Sequence, residues 1–521
     1  MDTKALRQKI LDLAIRGKLV PQDPNDEPAS VLLGRIRQQK QQMVKEGKLK
    51  PKDIKNDSVI FVGEDNLHYE KFADGSVKCI EDEIPFDLPE GWEWVRLGSV
   101  GDMTLGKMLD VTKNKGTLRP YLRNINVRWG AFELSDVLEM RFEDDELERY
   151  SIRHGDLVIC EGGEPGRCAV WQSEEVVFYQ KALHRVRAIE VLPEFLYYVI
   201  RHFIISNQYE RYYTGTTIKH LTGQSLRIIP IPLPPLNEQK LIVEHLQRII
   251  EEIDKIETEK TEALSLVSFA KSKILDLAIR GQLVPQDPDD EPASVLLERI
   301  RAEKEELIKQ GKIKRNKKES IIFRGEDNSY YVRQDTHMES IDEQFIFELP
   351  DNWEWCSLLN IAKIELGKTL DSAKNIGTNY PYLRSVNVRW NEVDLSDLKE
   401  MRFEPEELDR YTVRHNDLLI CEGGDVGRSC VWTDEKEILY QNALHRVRFY
   451  GGCNPFYFMY YMKYYESRGI IKALCKGVTI KHLTGNVLSL IPFALPPIEE
   501  QDRIAKRLNR IFVLLDSIIC D

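Results

Sequence analysis

The sequence contains itself twice, and that repetition limits the folds open to it more than any motif does. ILDLAIRG at Ile10–Gly17 returns at Ile274–Gly281, and LVPQDP at Leu19–Pro24 returns at Leu283–Pro288. EPASVLL (Glu27–Leu33, Glu291–Leu297), GEDN (Gly63–Asn66, Gly325–Asn328) and NVRW (Asn126–Trp129, Asn387–Trp390) do the same. So do EMRFE (Glu139–Glu143, Glu400–Glu404), ALHRVR (Ala182–Arg187, Ala443–Arg448) and TIKHLTG (Thr217–Gly223, Thr479–Gly485). PLPP (Pro232–Pro235) is matched by ALPP (Ala494–Pro497). The offset runs only from 264 (Ile10 to Ile274) down to 261 (Asn126 to Asn387). A period of half a 521-residue chain is a duplication of whole units, not a solenoid.

Each unit has one internal order. A helix ending near Gly17 or Gly281 leads into the turn-rich VPQDP. A basic helical stretch follows, Arg35–Lys52 or Arg299–Lys318. A mixed module opens at LPEGWEW (Leu88–Trp94) or LPDNWEW (Leu349–Trp355). Inside it DLVIC (Asp156–Cys160) and HRVRA (His184–Ala188) alternate as strands do. EFLYYVIRHFI (Glu194–Ile204) and PFYFMYYMKYY (Pro455–Tyr465) read as helices. The proline-rich turn closes the module and fixes the chain direction.

Beyond Pro235 the apolar positions are Ile242, Leu246, Ile249, Ile253, Ile256, Ala263, Val267, Ala270, Ile274 and Leu277, interrupted at Lys260. Spacing that alternates four and three predicts a coiled-coil helix over Asn237–Ile279, roughly 60–65 Å long at 1.5 Å per residue. The same seam lies at the chain ends. Ile504, Leu508, Ile511, Leu515 and Ile518 match its first half, and Leu6, Ile10 and Leu13 its second. The pattern predicts an α+β chain with pseudo-two-fold duplication: two mixed modules separated by long antiparallel spacer helices, one spacer split between the termini.

With 42% hydrophobic and 30% charged residues the chain has an ordinary globular composition. No apolar run reaches membrane-spanning length, and the opening MDTKALRQKILDLAIRG has helical periodicity rather than a signal-peptide pattern. Nine scattered cysteines without a CxxC pair suit reduced thiols and a cytoplasmic location. The net charge of −12 argues against coating nucleic acid, but not against local contacts with it.

Three constellations invite a catalytic or metal reading. CNPFY (Cys453–Tyr457) has one proline too few for an adenine-gripping methyltransferase loop, and a helix start is the better account. EGGEPGR (Glu161–Arg167) and EGGDVGR (Glu422–Arg428) lack the Lys-Ser/Thr of a P-loop and read as tight turns that face a DNA backbone or simply join strands. His154, Cys160, Cys168 and His184, with His415, Cys421, Cys430 and His445, suggest a metal. In register, however, Cys430 falls opposite Ala169 rather than Cys168, and one residue on a strand reverses the face. The expectation is a chain with no catalytic residue, metal or cofactor of its own.

The repeated polar residues suit nucleic acid. Arg123, Asn124, Asn126 and Arg128, with Arg384, Asn387 and Arg389, offer the side chains that pair with guanine and adenine edges in the major groove. On a continuous strand they would alternate between faces, so a solvated strand is the competing reading for each. Lys219 and His220, with Lys481 and His482, lie in a loop suited to phosphate, and Lys107, Arg167, Lys368 and Arg428 beside the other loops are further candidates for DNA contact. The two basic helices suit DNA backbone or plain solvent.

Two modules, each ending in TIKHLTG…IPLPPLNEQ or TIKHLTG…ALPPIEEQ and followed by a long helix, resemble specificity subunits of type I restriction-modification systems. GDLVICEGGEPGR and KILDLAIRGKLVPQDPNDEPAS carry the same resemblance, which covers essentially the whole chain. It divides the chain into residues 1–33 (first part of a split spacer), 34–84 (basic helical linker), 85–236 (first target-recognition domain) and 237–297 (central spacer). Residues 298–345 (second linker), 346–498 (second target-recognition domain) and 499–521 (last part of the split spacer) complete it. The resemblance implies that each module reads one half of a split double-stranded DNA target. It further implies that the spacers dock two methyltransferase subunits, which bind S-adenosylmethionine, and that motor-nuclease restriction subunits join them. The rival from another class is a bivalent protein-binding scaffold with no nucleic-acid role. The modules differ most in Lys107–Pro120 against Lys368–Pro381 and around Asn207–Gly215, where differences in target are expected.

Overall fold

The structure, a computed structural model, describes residues 2–55, 57–215, 219–315, 320–327, 329–334, 337–341, 347–371, 375–475 and 482–520. Its contacts divide the chain into two units, Met1–Glu259 and Lys260–Asp521. The boundary falls at Lys260, the residue that interrupts the apolar seam.

In the first unit, helices α1 (Thr3–Ile15) and α2 (Ala29–Lys45) precede a three-stranded antiparallel sheet of Val59–Val62, His68–Lys71 and Val77–Cys79. Residues 34–84, expected as helix and linker, therefore contain a sheet. Its strands are three or four residues long and mostly solvent-facing, so the sequence has no sustained alternation to betray them. α2 buries one face and leaves Arg37 and Lys45 exposed on the other. Ile36 is buried in the core, and the buried Lys40 pairs with Asp57 at 2.6 Å and donates to the Gly98 carbonyl at 3.0 Å.

The module holds two four-stranded sheets. One runs in spatial order Ser151–Ile152, Val177–Tyr179, Thr117–Leu122, Leu138–Phe142, with one parallel pair. The other runs Cys168–Val170, Leu157–Cys160, Leu183–Ala188, Gly101–Leu105, all antiparallel. Val158 and Cys160 face a small core between the sheets, and Leu157 and Ile159 face the main core under helix α3 (Pro193–Ile205). That two-sided burial explains why LVIC is apolar at every position.

The module is fastened to its spacer by motifs that recur in both units. Glu93–Arg96 pairs with Pro230–Leu233. Trp92 Nε1 donates to Glu238 at 2.8 Å, and Gln22 Nε2 donates to the Gly17 carbonyl at 2.6 Å and to Glu238 at 3.3 Å. Gly17 has φ +65°, and a Cβ there would lie 2.5 Å from Pro89, so only glycine fits. VPQDP, WEW and the EQ after PLPP are thus one lock. Burial pushes the Glu238 carboxyl above its ordinary range, against the pull of the Trp92 and Gln22 hydrogen bonds.

The central helix α4 spans Leu236–Ile279, 44 residues, covering the coiled-coil helix predicted over Asn237–Ile279. Within the first unit the chain from α1 to Asp26 runs antiparallel to the first half of α4: Arg7 pairs with Asp254 and, at 3.0 Å, with Glu257, while Asp26 accepts from Asn237 at 2.9 Å. Ile242, Leu246 and Ile253 are buried as the seam predicts, but Ile256 is not.

The second unit repeats this plan. Helix α5 (Ala293–Lys309) is followed by strands Ser320–Arg324, Tyr330–Gln334 and His337–Ser340. Its sheets run Thr412–Val413, Ile438–Tyr440, Thr378–Leu383, Lys399–Phe403 and Ser429–Val431, Leu418–Cys421, Leu444–Phe449, Ala362–Leu366. Helix α6 (Pro455–Ser467) takes the place of α3. The lock recurs, with Trp353 donating to Glu500 at 2.8 Å and Gln286 to Glu500 at 2.6 Å. Helix α7 (Ile498–Cys520) runs antiparallel to the second half of α4, where Lys271 pairs with Asp516. Here Val267 is buried as the seam predicts, but further along α4 the buried residues are Leu275, Ala278 and Ile279, with Leu275 and Ala278 one residue beyond the expected Ile274 and Leu277. At 3.6 residues per turn a seven-residue repeat drifts about 20° per heptad, so about one residue over the five heptads from Ile242.

Candidate functional site

The motifs marked as polar in the sequence converge in each module on one cluster of loops. The strand Thr117–Leu122 ends in a 3-10 turn, Asn124–Asn126, instead of continuing as an alternating strand. Asn126 drives this. Its Oδ1 accepts from the Arg123 amide at 2.9 Å, and its Nδ2 donates to the carbonyls of Glu133 (2.9 Å) and Asp136 (3.0 Å). Arg123 donates to the Asp136 carboxylate at 2.7 Å. Asn387 repeats these bonds to Arg384, Asp394 and Asp397, and Arg384 pairs with Asp397 at 2.7 Å. Both asparagines are buried, and their side-chain amides are engaged with the backbone that shapes the turn. Arg128 and Arg389 point outward from the turn. Arg128 makes no hydrogen bond or ion pair among the described residues, while Arg389 holds Asp394 at 2.8 Å.

The glycine loop fastens to that turn. Gly163 and Gly166 have φ +81° and +91°, which folds Arg167 back so that it pairs with Glu164 and donates to the Asn124 carbonyl at 2.9 Å. Asn124 returns a long bond, 3.4 Å, to the Gly162 carbonyl. In the second module Arg428 pairs with Asp425 and donates to the Ser385 carbonyl at 2.9 Å. Each arginine ties its glycine loop to the turn and stays partly exposed.

Lys107 and Lys368 are internal. Each is buried, Lys107 pairing with Glu143 and Glu146 and Lys368 with Glu407. Each ammonium is tied to the carboxylates beside it and so anchors the loop that follows. The preceding glycine is required there: a Cβ on Gly106 would stand 2.2 Å from the Gln180 carbonyl oxygen.

Lys219 and His220 are exposed. Lys219 lies 3.0 Å from Glu210 and over the Tyr213 ring, and His220 lies against Gly162. The Leu221 amide donates to the Glu161 carbonyl at 2.8 Å, and the buried His184 Nε2 meets the Leu221 carbonyl at 2.9 Å. His482 is likewise exposed beside Gly423, whereas Lys481 lies outside the described residues.

One part of the cluster escaped the sequence reading. Gln180–Leu183 is a tight turn whose Gln180 amide donates to the Leu122 carbonyl at 3.2 Å, and whose Lys181 amide donates to the Lys107 carbonyl at 2.7 Å. The Ala182 carbonyl accepts from Glu161 at 2.9 Å. The turn therefore joins the other loops. Its signal was QKALHRVR against QNALHRVR, of which only the repeat ALHRVR and the strand HRVRA were read above.

Among the described residues of the cluster nothing assembles a metal site. Cys168 packs in the main core and Cys430 in the small inter-sheet core, because their strands pair Ile159 with Cys168 and Leu419 with Cys430. Burial pushes the Cys160 and Cys421 thiols up to about 11. Among the described residues no group of three His, Cys, Asp or Glu side chains could hold a metal ion. CNPFY is a helix start, with Asn454 capping α6 through the Phe456 amide at 2.8 Å. No helix among the described residues is long and apolar enough to cross a membrane.

Each unit thus carries one like α+β module joined to a long helix, and comparison with known proteins gives the family. Residues 89–266 and 350–518 both match the type I restriction modification DNA specificity domain, so the chain belongs to that family. Among curated relatives, the Escherichia coli type I restriction enzyme EcoAI specificity subunit is 26% identical over 98% of this chain and 88% of its own length. The EcoEI specificity subunit, also from Escherichia coli, is 26% identical over 99% and 90%. A solved chain from work on complex assembly and conformational transition of the type I R-M system shares the fold. It gives a TM-score of 0.54 and 20% identity over 84% of this chain and 93% of that one. The protein is accordingly the non-catalytic member of a type I restriction-modification complex, recognising its DNA target.

Proposed function

We propose that each module reads one half of a split double-stranded DNA target through its loop cluster, with the spacer helices setting the gap. The observation that carries this is the likeness of the two clusters: the same turn and glycine loop, bonded in the same way, and Leu221 or Leu483 tied to Glu161 or Glu422, with exposed cations at the rim. The contact set is Arg123, Asn124, Arg128, Arg167, Lys219 and His220 in the first module. In the second it is Arg384, Arg389, Arg428 and His482, with Lys481 carried by its sequence match alone. Arg128 and Arg389 are assigned to base edges, and Lys219, His220 and their counterparts to phosphate. Two methyltransferase subunits, bearing S-adenosylmethionine, dock on the spacers, and restriction subunits join them for cleavage.

The test is duplex binding by the chain assembled with its methyltransferase subunits, measured across salt. Affinity should fall steeply with ionic strength and favour one bipartite target over scrambled duplex. Salt-insensitive binding without target preference would support the protein-binding scaffold instead.

A further inference from the structure

We propose that Lys181 and Asn442 are the positions at which the two half-sites are told apart, Lys181 reading a guanine and Asn442 an adenine. This rests on the reading of each module as the reader of one half-site. QKALHRVR (Gln180–Arg187) and QNALHRVR (Gln441–Arg448) differ at this residue alone. The residue occupies the outer corner of the tight turn, because Leu183 N bonds back to Gln180 O, and Leu444 N to Gln441 O, each at 3.2 Å. The corner is held from three sides: by Leu122 or Leu383, by Lys107 or Lys368, and by Glu161 or Glu422.

The next residue, Ala182 or Ala443, has φ +154° or +92°, a conformation that disfavours a side chain bearing Cβ. Strain kept at the same alanine in both copies fixes the direction in which residue 181 or 442 projects. What projects is uncommitted. Lys181 is exposed, and its ammonium makes no hydrogen bond or ion pair among the described residues. The Asn442 amide has one long contact, 3.5 Å to the Thr369 hydroxyl. The nearby difference of Asn124 against Ser385 is less free, since Asn124 already bonds the glycine loop. The two groups differ in what they complement. An ammonium only donates, which suits guanine O6 and N7, whereas an amide donates and accepts, which suits adenine N6 and N7.

The experiment maps methylated sites in a host expressing the full chain with its methyltransferase subunits, for wild type, Lys181→Asn and Asn442→Lys. In the wild type the half-sites should differ by G·C against A·T at one equivalent position. Lys181→Asn should make that position A·T in both halves, and Asn442→Lys should make it G·C in both, each switching preference by about tenfold or more. A bipartite target left unchanged by both variants would overturn the proposal, as would loss of the old target without gain of the predicted one in both. A wild type that methylates no bipartite target would instead overturn the underlying reading of the modules, and the proposal with it.

Discussion

Asn126 and Arg128 stand two positions apart in NVRW, and both recur in the second unit, yet one is buried and the other exposed. Duplication preserves framework and contact residues alike, so recurrence in the sequence could not separate them. Only the turn at Asn124–Asn126 does so. Asn126→Ala should leave the Arg123 amide and two carbonyls without their partner and cost on the order of 1–3 kcal/mol, seen as a lower Tm, while base preference persists in the folded fraction. Arg128→Ala should leave Tm nearly unchanged and weaken recognition of one half-site by about 1–3 kcal/mol, with Arg389→Ala acting on the other half. Thermal melts beside competition binding with half-site variants check both. Equal loss at both half-sites from either arginine change would contradict the assignment.

The long elements were legible because their periodicity is sustained. α4 and the aromatic helices α3 and α6 lie where the seam and the runs after Glu194 and Pro455 predicted. The small sheets at 59–79 and 320–340 were not, being short and exposed, and the Gln180–Leu183 turn hid inside a strand motif. The strand Leu183–Ala188 makes a further prediction through His184. Burial holds His184 and His445 below the ordinary imidazole range, while their bonds to the Leu221 and Leu483 carbonyls pull the other way. An unfolded chain takes up protons as pH falls through about 6.5, before the folded one does. Stability is therefore insensitive to these groups above about pH 7 and falls as pH drops through that range. A His184→Gln, His445→Gln double variant should lose less Tm than wild type between pH 7.5 and 5.5; equal losses would contradict this. At the same scale, deleting one heptad from Asn237–Ile279 shortens α4 by about 10 Å in phase. The target gap should change or binding fail, with half-site preferences intact; an unchanged gap at full activity would show that the helix is not the ruler.

At the scale of the whole molecule, the repetition in the sequence carried most of the architecture. The antiparallel runs of α1 and α7, each along its own stretch of α4, fit a spacer divided between the chain ends. Joining the termini with a short linker and reopening the chain near Asp287 should therefore keep the protein folded; insoluble permutants at several such openings would count against it. What the sequence could not supply was which polar residues are free, because that depends on partners brought from distant loops, such as Glu143 for Lys107 and Asn124 for Arg167. The central claim is that two like modules read two like half-sites. It is tested most directly by the methylation map of a host expressing the wild-type chain with its methyltransferase subunits. The map should show one bipartite target whose halves form a nearly inverted repeat across a fixed gap. Two unrelated half-sites would contradict it, since the shared turn, glycine loop and TIKH loop would then be framework throughout.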